Sequence, residues 1–334
     1  MTRVTLIRGD GIGPEIMEAA VRMVEATRVP IEWDEHPAGE SAISTHSVPL
    51  PESTLESIRR NRVALKAPLM TPVGTGFKSV NVATRQELDL YANVRPVKAF
   101  AGLPSKYPNC DLVVVRENTQ GLYSGVEHYI DTKKNAAQAV SYISRDASER
   151  VIRFAFEFAR KKGRKKVTLV HKANILKLTT GLFLQVGRQV SQAFPDIEFD
   201  DRIIDATAMQ LVLFPERFDV IVTTNLFGDI LSDLTAGLIG GLGLAPSANY
   251  GEDAAIFEAI HGTAPDIAGK GIANPTALAL SAAMMLRHLG HREAGDRLEE
   301  AIRGVIADGE ARTSDLGGSA STLGFADAVV GRLA

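Results

Sequence analysis

The sequence has a single cysteine, no long apolar run and no surplus of charge, and each absence removes a class of protein. One thiol, Cys110, cannot form a disulfide within the chain; it precedes the apolar run at 112–115 and reads as a passive thiol at or near the core. No uninterrupted apolar stretch approaches the roughly 18 residues that cross a bilayer. Residues 4–7 begin a strand with no basic segment and no long apolar segment ahead of them, so no secretory signal is expected and the cytoplasm is the expected compartment. Lys and Arg total 37 against 40 for Asp and Glu, a balance with no broad attraction for nucleic acid or anionic membrane. Any anion site must be local. Neither an internal repeat nor a low-complexity linker marks a domain boundary.

What is present is 334 residues, 45% of them hydrophobic, enough for two domains or one large one. Short β-branched runs (4–7, 112–115, 167–170, 220–223) alternate with helical patterns (14–26, 147–160), which predicts an α/β protein with a largely parallel sheet. Val151, Ile152, Ala155, Phe156 and Ala159 form one helical stripe, and a basic run at 160–166 closes that helix. The run could be a nucleic-acid patch, but a helix C-terminus favours cations and Gly163 is a natural stop, so the expectation is a solvated helix end.

Four segments could carry chemistry. Gly-Asp-Gly-Ile-Gly-Pro-Glu at 9–15 lies between a strand and a helix, but its G-x-G-x-G spacing is not the dinucleotide fingerprint, and Pro14 suits the first helical turn; a tight turn is the plainer reading. Asn225-Leu226-Phe227-Gly228-Asp229-Ile230-Leu231-Ser232-Asp233 puts Asp229 and Asp233 four apart, on one helical face. Such a pair is either a solvated face or, in apolar surroundings, two oxygen ligands for a hard divalent cation. Arg85, Arg95 and Arg116 are each a structural ion-pair partner or, if they converge, a set of two-point donors for a polycarboxylate. The segment 261–270 (His-Gly-Thr-Ala-Pro-Asp-Ile-Ala-Gly-Lys), followed by Asn274, reads equally as a long surface loop or as a small-residue loop that admits a cofactor close to the backbone.

Together these segments, from Gly-Asp-Gly-Ile-Gly-Pro-Glu at 9–15 to Asp-Leu-Gly-Gly at 315–318, resemble the β-decarboxylating dehydrogenases that act on isocitrate, homoisocitrate and 3-isopropylmalate. The resemblance implies an open α/β two-domain fold of the isopropylmalate-dehydrogenase kind, with a mixed sheet, unlike the Rossmann domain, and an active-site cleft between the domains. It implies a large cofactor-side domain at 1–99 plus 236–334, and a small domain at 100–235 with an arm near 122–138 that interlocks with a second copy in a homodimer.

Residue by residue, the resemblance implies that Arg85, Arg95 and Arg116 grip the α- and β-carboxylates. Asp229 and Asp233, with Asp205 from the partner subunit, would bind Mg²⁺ or Mn²⁺. Lys172, again from the partner, would take the C2 hydroxyl proton, and Tyr123 would protonate C3. Ser79 and Asn81 match the positions that hold the distal carboxylate of isocitrate; a hydroxyl and an amide would be left unsatisfied against an isopropyl group. Homoisocitrate, one methylene longer, stays open, as does a non-catalytic regulatory subunit. Thr71, His261, Gly262, Thr263, Ala264, Pro265, Asp266, Ile267 and Asn274 match the cofactor segment. Enzymes of this kind that use NADP carry Lys-Tyr where this chain has Asp266 and Ile267, and a carboxylate there would accept ribose hydroxyls and repel a 2′-phosphate, so NAD is the expected cofactor. The chain departs from many relatives at Gln120, where they carry Glu, and altered hinge or interface polarity without loss of catalysis is expected.

Overall fold

A computed structural model describes residues 2–70 and 79–334; Thr71 lies outside them. The first stretch runs β1 (Thr2–Ile7), α1 (Gly13–Ala26), β2 (Ile31–Glu35), α2 (Glu40–His46), α3 (Glu52–Asn61), β3 (Val63–Lys66) and α4 (Val80–Glu87). The middle stretch runs β4 (Ala92–Lys98), β5 (Asp111–Glu117), β6 (Glu127–Tyr129), β7 (Ala137–Ala139), α5 (Arg145–Lys161), β8 (Lys166–His171), α6 (Thr179–Ser191), β9 (Glu198–Ile203), α7 (Ile204–Leu213), β10 (Val220–Thr223) and α8 (Asn225–Leu238). The last holds β11 (Pro246–Tyr250), β12 (Ala255–Ala259), α9 (Thr276–His288), α10 (Arg292–Asp308) and α11 (Thr322–Leu333).

Two compact units emerge. The terminal unit comprises Met1–Leu88, Ala99–Pro108 and Ile239–Ala334; the middle unit comprises Asp89–Lys98 and Asn109–Leu238. The division differs from the expected one between 89 and 108 and at 236–238. β4 pairs antiparallel with β5 over seven residues and so belongs to the middle unit. Ala99–Pro108 returns to the terminal unit because Arg303 donates to the Ala99 carbonyl and lies over the Phe100 ring, while Arg312 donates to the Gly102 carbonyl.

In the terminal unit the strands lie in the order β2-β1-β3-β12-β11, parallel except for β11. α9 packs on β12, β11, β3, α1 and α10, and its Ala277, Ala279, Ala282, Ala283, Leu278 and Leu286 are buried all round the helix. A helix apolar on every side belongs inside, and its many alanines let neighbouring elements approach closely. The middle unit orders its strands β4-β5-β10-β8-β9, parallel except for β4. Leu112, Val113, Val114 and Val115 are all buried, as expected of a central parallel strand covered on both faces.

α5 starts where the Ser144 hydroxyl accepts the Ala147 N–H, and Gln120 bonds Ser144 twice, through the hydroxyl and the backbone N–H. Gln120 therefore braces a helix cap. In the stretch expected to form an arm, β6 and β7 make a two-stranded antiparallel ribbon whose residues are exposed.

Candidate active site

The middle unit concentrates charge where β4, β5 and α8 meet. Arg116 follows the apolar run of β5 and is almost fully enclosed: its Nε and Nη2 donate to Asn225 Oδ1 at 3.0 and 2.7 Å, and its Nη1 to Asp229 Oδ1. From β4, Arg95 donates to Asn93 at 2.8 Å and to the Ser232 hydroxyl. The same guanidinium lies 3.3 Å from Asp233 and 3.6 Å from Asp229. The two aspartates thus share one face of α8, as their spacing predicts, with two buried guanidiniums beneath them.

Tyr123 follows β5 on a short 3₁₀ turn, donates its hydroxyl to Asp229 and lies 4.9 Å under the Arg116 guanidinium. Burial, and then the Asp229 carboxylate beside it, push the Tyr123 phenol above its ordinary value. Asp233 is likewise raised, first by burial and then by the negative charge of Asp229, with Arg95 opposing. Two carboxylates that repel each other, with oxygens still half-exposed, form a donor set suited to a hard divalent cation.

Asp205 is not part of that pair in one chain. It receives the Lys172 ammonium, which holds its carboxyl below the usual range, and among the described residues no group of three His, Cys, Asp or Glu side chains is placed to hold a metal. Lys172 follows β8, its N–H held by the Thr180 hydroxyl at 3.2 Å and the next N–H, of Ala173, by His171 Nδ1 at 3.0 Å.

The terminal unit holds a second, more deeply buried cluster. Lys66 at the end of β3 pairs with Glu258 of β12 at 2.5 Å and donates to Asn81 Oδ1 at 3.1 Å. Arg85, one helical turn on from Asn81 in α4, pairs with the same Glu258 at 3.2 Å, and Asn249 of β11 donates to it at 2.7 Å. Burial alone would raise the Glu258 carboxyl, but Lys66 and Arg85 outweigh it and hold it far below the usual range. Arg95 and Arg116 therefore come together on Asp229, whereas Arg85 is engaged by Glu258 within the terminal unit. Ser79 is exposed at the start of α4 and its hydroxyl makes no capping bond.

His261 to Ile267 also lie in the terminal unit, where Ala264 takes a left-handed conformation and Pro265–Ile267 turn as a 3₁₀ helix. His261 Nδ1 bonds the Gly262 carbonyl at 3.0 Å, and Nε2 is buried with no partner among the described residues. Burial holds its pKa below the ordinary imidazole value. Asn274 donates to Asp315 at 2.9 Å, and Thr313 donates to the other oxygen of that carboxylate at 2.5 Å. Gly262, Ala264, Pro265 and Asp266 lie exposed around this cluster. An imidazole, an amide and the Asp315 carboxylate are groups that can hydrogen-bond a base edge and ribose hydroxyls.

Sequence reasoning missed Lys66, Glu258, Asn249, Asn225, Ser232 and Asp315 as members of these clusters. The signal for two of them was present: a lone lysine in Val-Ala-Leu-Lys and a lone glutamate in Ala-Ile-Phe-Glu-Ala are charges inside strands, which are stable only when paired.

Comparison with known proteins places this arrangement. Residues 3–329 match the family model for isocitrate/isopropylmalate dehydrogenase. The chain is 50% identical over 333 residues to the 3-isopropylmalate dehydrogenase of Archaeoglobus fulgidus, covering 100% of both chains. It is 48% identical over 332 residues to a mitochondrial NAD isocitrate dehydrogenase regulatory subunit from Dictyostelium discoideum, covering 99% of this chain and 92% of that one. The crystal structure of isocitrate dehydrogenase from Methylococcus capsulatus superposes with a TM-score of 0.97 at 57% identity, covering 100% of this chain and 99% of the other. With near-complete coverage at this identity and a mixed α/β fold that matches throughout, the chain belongs to the isocitrate/isopropylmalate dehydrogenase family, whose members are oxidoreductases.

Proposed function

We propose that the protein is an NAD-dependent isocitrate dehydrogenase, requiring Mg²⁺ or Mn²⁺ and converting isocitrate to 2-oxoglutarate and carbon dioxide. The observation that carries the substrate choice is the Asn81 amide, whose oxygen is held by the buried Lys66 ammonium, two residues on from the Ser79 hydroxyl. An amide NH₂ and a hydroxyl offer donors to a distal carboxylate, whereas an isopropyl group would leave them unsatisfied.

In this reading Arg95 and Arg116 bind the α- and β-carboxylates, with Arg85 joining them from α4, and their positive charge is already balanced in the free protein by Asp229 and Glu258. Asp229 and Asp233, with Asp205 of a second copy, hold the cation, which when bound supplies a Lewis acid for the C2 oxygen. Lys172 of that second copy, in its neutral amine form, would accept the C2 hydroxyl proton, and NAD, when bound, would supply the acceptor for the C2 hydride. The bond from C3 to the β-carboxylate then breaks, its electron pair moves toward the C2 oxygen, and Tyr123 delivers a proton to C3. His261, Asn274, Asp266 and Asp315 hold the nucleotide, and the carboxylates disfavour a 2′-phosphate.

The second copy is favoured by apolar side chains that the middle unit leaves in water: Met209, Val212 and Leu213 of α7, Ile230 of α8, and Tyr129 and Ile130 of the ribbon. We assign that surface to a homodimer.

A 3-isopropylmalate dehydrogenase is the second reading, favoured by the relative from Archaeoglobus fulgidus. Initial rates for the purified chain with Mg²⁺, offering isocitrate, homoisocitrate and 3-isopropylmalate with NAD or NADP, decide between them. Isocitrate with NAD is expected to lead by at least about tenfold in kcat/KM, about 1.4 kcal/mol. A lead for another acid overturns the substrate assignment, and no turnover of any of the three makes the chain a regulatory subunit.

A further inference from the structure

Both peptide planes that flank Lys172 are held by side chains that the chemistry proposed above does not use. On one side the Lys172 N–H donates to Thr180 Oγ1 at 3.2 Å, and that hydroxyl donates onward to the Leu176 carbonyl at 3.1 Å. On the other, the Ala173 N–H donates to His171 Nδ1 at 3.0 Å. The Lys172 carbonyl of that same plane accepts the Ile175 and Leu176 N–H groups at 3.0 and 2.8 Å. A rigid plane fixed on each side leaves the two backbone torsions of Lys172 little freedom, so the direction in which its side chain departs is set.

Both holding side chains are buried: His171 at the end of β8 and Thr180 in the first turn of α6. Because Nδ1 accepts, the neutral ring carries its proton on Nε2, which faces Asp201 Oδ1 of β9 at 3.2 Å. Arg188 of α6 donates to Asp201 in turn at 3.0 Å. The ring is gripped at both nitrogens and cannot turn without losing one bond. From this backbone the Lys172 ammonium reaches Asp205 at the start of α7, so one stretch of the middle unit presents both groups assigned to a second copy's site.

We infer that His171 and Thr180 are positioning residues for Lys172, whose acceptor atoms, rather than their bulk, aim its amine at the C2 hydroxyl. The inference rests on Lys172 as the base of the oxidation step. A misaimed base leaves the groups assigned to the carboxylates and the nucleotide in place, so the loss falls on kcat and spares KM. The acceptors can be removed at nearly constant size. His171→Asn keeps an oxygen that can accept the N–H two residues on, as asparagine does in Asx-turns, whereas His171→Leu has the same outline and no acceptor. Neither side chain is long enough to replace Nε2, so the pair isolates the bond to Ala173. Thr180→Ser keeps the hydroxyl and Thr180→Val removes it.

The test measures kcat, KM for isocitrate and for NAD, and the isotope effect on kcat from deuterium at C2, in these four full-length variants and in Lys172→Met. His171→Leu and Thr180→Val are expected to lower kcat at least about tenfold, with both KM values within about twofold and an isotope effect no smaller than the wild type's. His171→Asn and Thr180→Ser are expected to stay within about threefold of the wild type in kcat. Equal kcat in the two members of either pair would overturn the proposal. So would a rise in KM in place of the loss in kcat, or a smaller isotope effect, which would mean that another step had slowed. Lys172→Met should lose at least about a hundredfold in kcat. Wild-type turnover by Lys172→Met overturns the base assignment and this inference with it, whereas an inactive Lys172→Met beside unaffected His171 and Thr180 pairs overturns the positioning role alone. If His171→Leu or Thr180→Val does not fold, amide hydrogen exchange of the wild type decides. The Lys172 and Ala173 amides should exchange as slowly as those of β8, and exchange at the rate of an exposed loop at either one overturns the proposal.

Discussion

Gly228 and Arg116 meet so closely that a methyl group on Gly228 would lie 2.6 Å from Arg116 Cβ and Cγ. This contact lets α8 settle on β5, and so sets how Asp229, the next residue, meets the Arg116 guanidinium. Gly228→Ala is expected to push α8 outward, costing about 1–3 kcal/mol of stability and lowering kcat/KM by roughly 100-fold through misplacement of Asp229. Chemical denaturation and steady-state kinetics on one preparation check both; unchanged turnover would mean that α8 is not held by this contact.

Asp233 is the more exposed of the two carboxylates on α8, and its loss should leave the fold intact. Asp233→Asn is expected to weaken Mn²⁺ binding by at least the roughly 10- to 100-fold seen for removal of outer-shell partners. Titration followed by the Mn²⁺ spin-resonance signal measures it. Equal affinity in variant and wild type would remove Asp233 from the metal site.

The Glu258 carboxylate is ionised between Lys66 and Arg85, and its folded pKa lies below the ordinary value of 4.5. A depressed folded pKa contributes stability that is fully present above the unfolded value and is lost as pH falls below 4.5 toward the folded value. Glu258→Gln leaves two buried cations short of a counter-charge and should cost about 3–5 kcal/mol at pH 7. The variant's stability should also fall less steeply than the wild type's as pH is lowered from 5 to 3. Urea melts across that interval supply the measurement, and parallel pH curves would contradict the assignment.

Asp266 is exposed in the segment we propose for the nucleotide, where a charge change need not disturb packing. Asp266→Lys is expected to lower kcat/KM with NAD and raise it with NADP, shifting the ratio by at least about tenfold, or about 1.4 kcal/mol. Rates with the two nucleotides at fixed substrate and Mg²⁺ give the ratio directly. A ratio that stays put would place the 2′-position away from residue 266.

Much of the fold is legible in the sequence. The helix expected at 14–26 forms as Gly13–Ala26 and the strand at 112–115 as Asp111–Glu117, because β-branched runs and the 3.6-residue period act within a few residues of chain. The basic run at 160–166 ends a helix, as its composition predicts: Arg160 pairs with Asp196, and Arg164 with Asp111 and Asp219. Less is legible about Arg85, which the sequence groups with Arg95 and Arg116 but which Glu258, 173 residues away, holds in the free protein.

What the sequence determined by itself is local: element type, the shared face of Asp229 and Asp233, and the motifs that mark the family. Which charges meet was decided by tertiary structure alone. Glu258 reaches Lys66 because β12 lies beside β3, although the whole middle unit separates them in the chain, and Arg116 meets Asn225 across 109 residues because α8 packs on β5. Strand order and register bring distant side chains within hydrogen-bond range, and a buried charge is stable only where that happens, so the partners follow from the assembled sheet rather than from any local pattern.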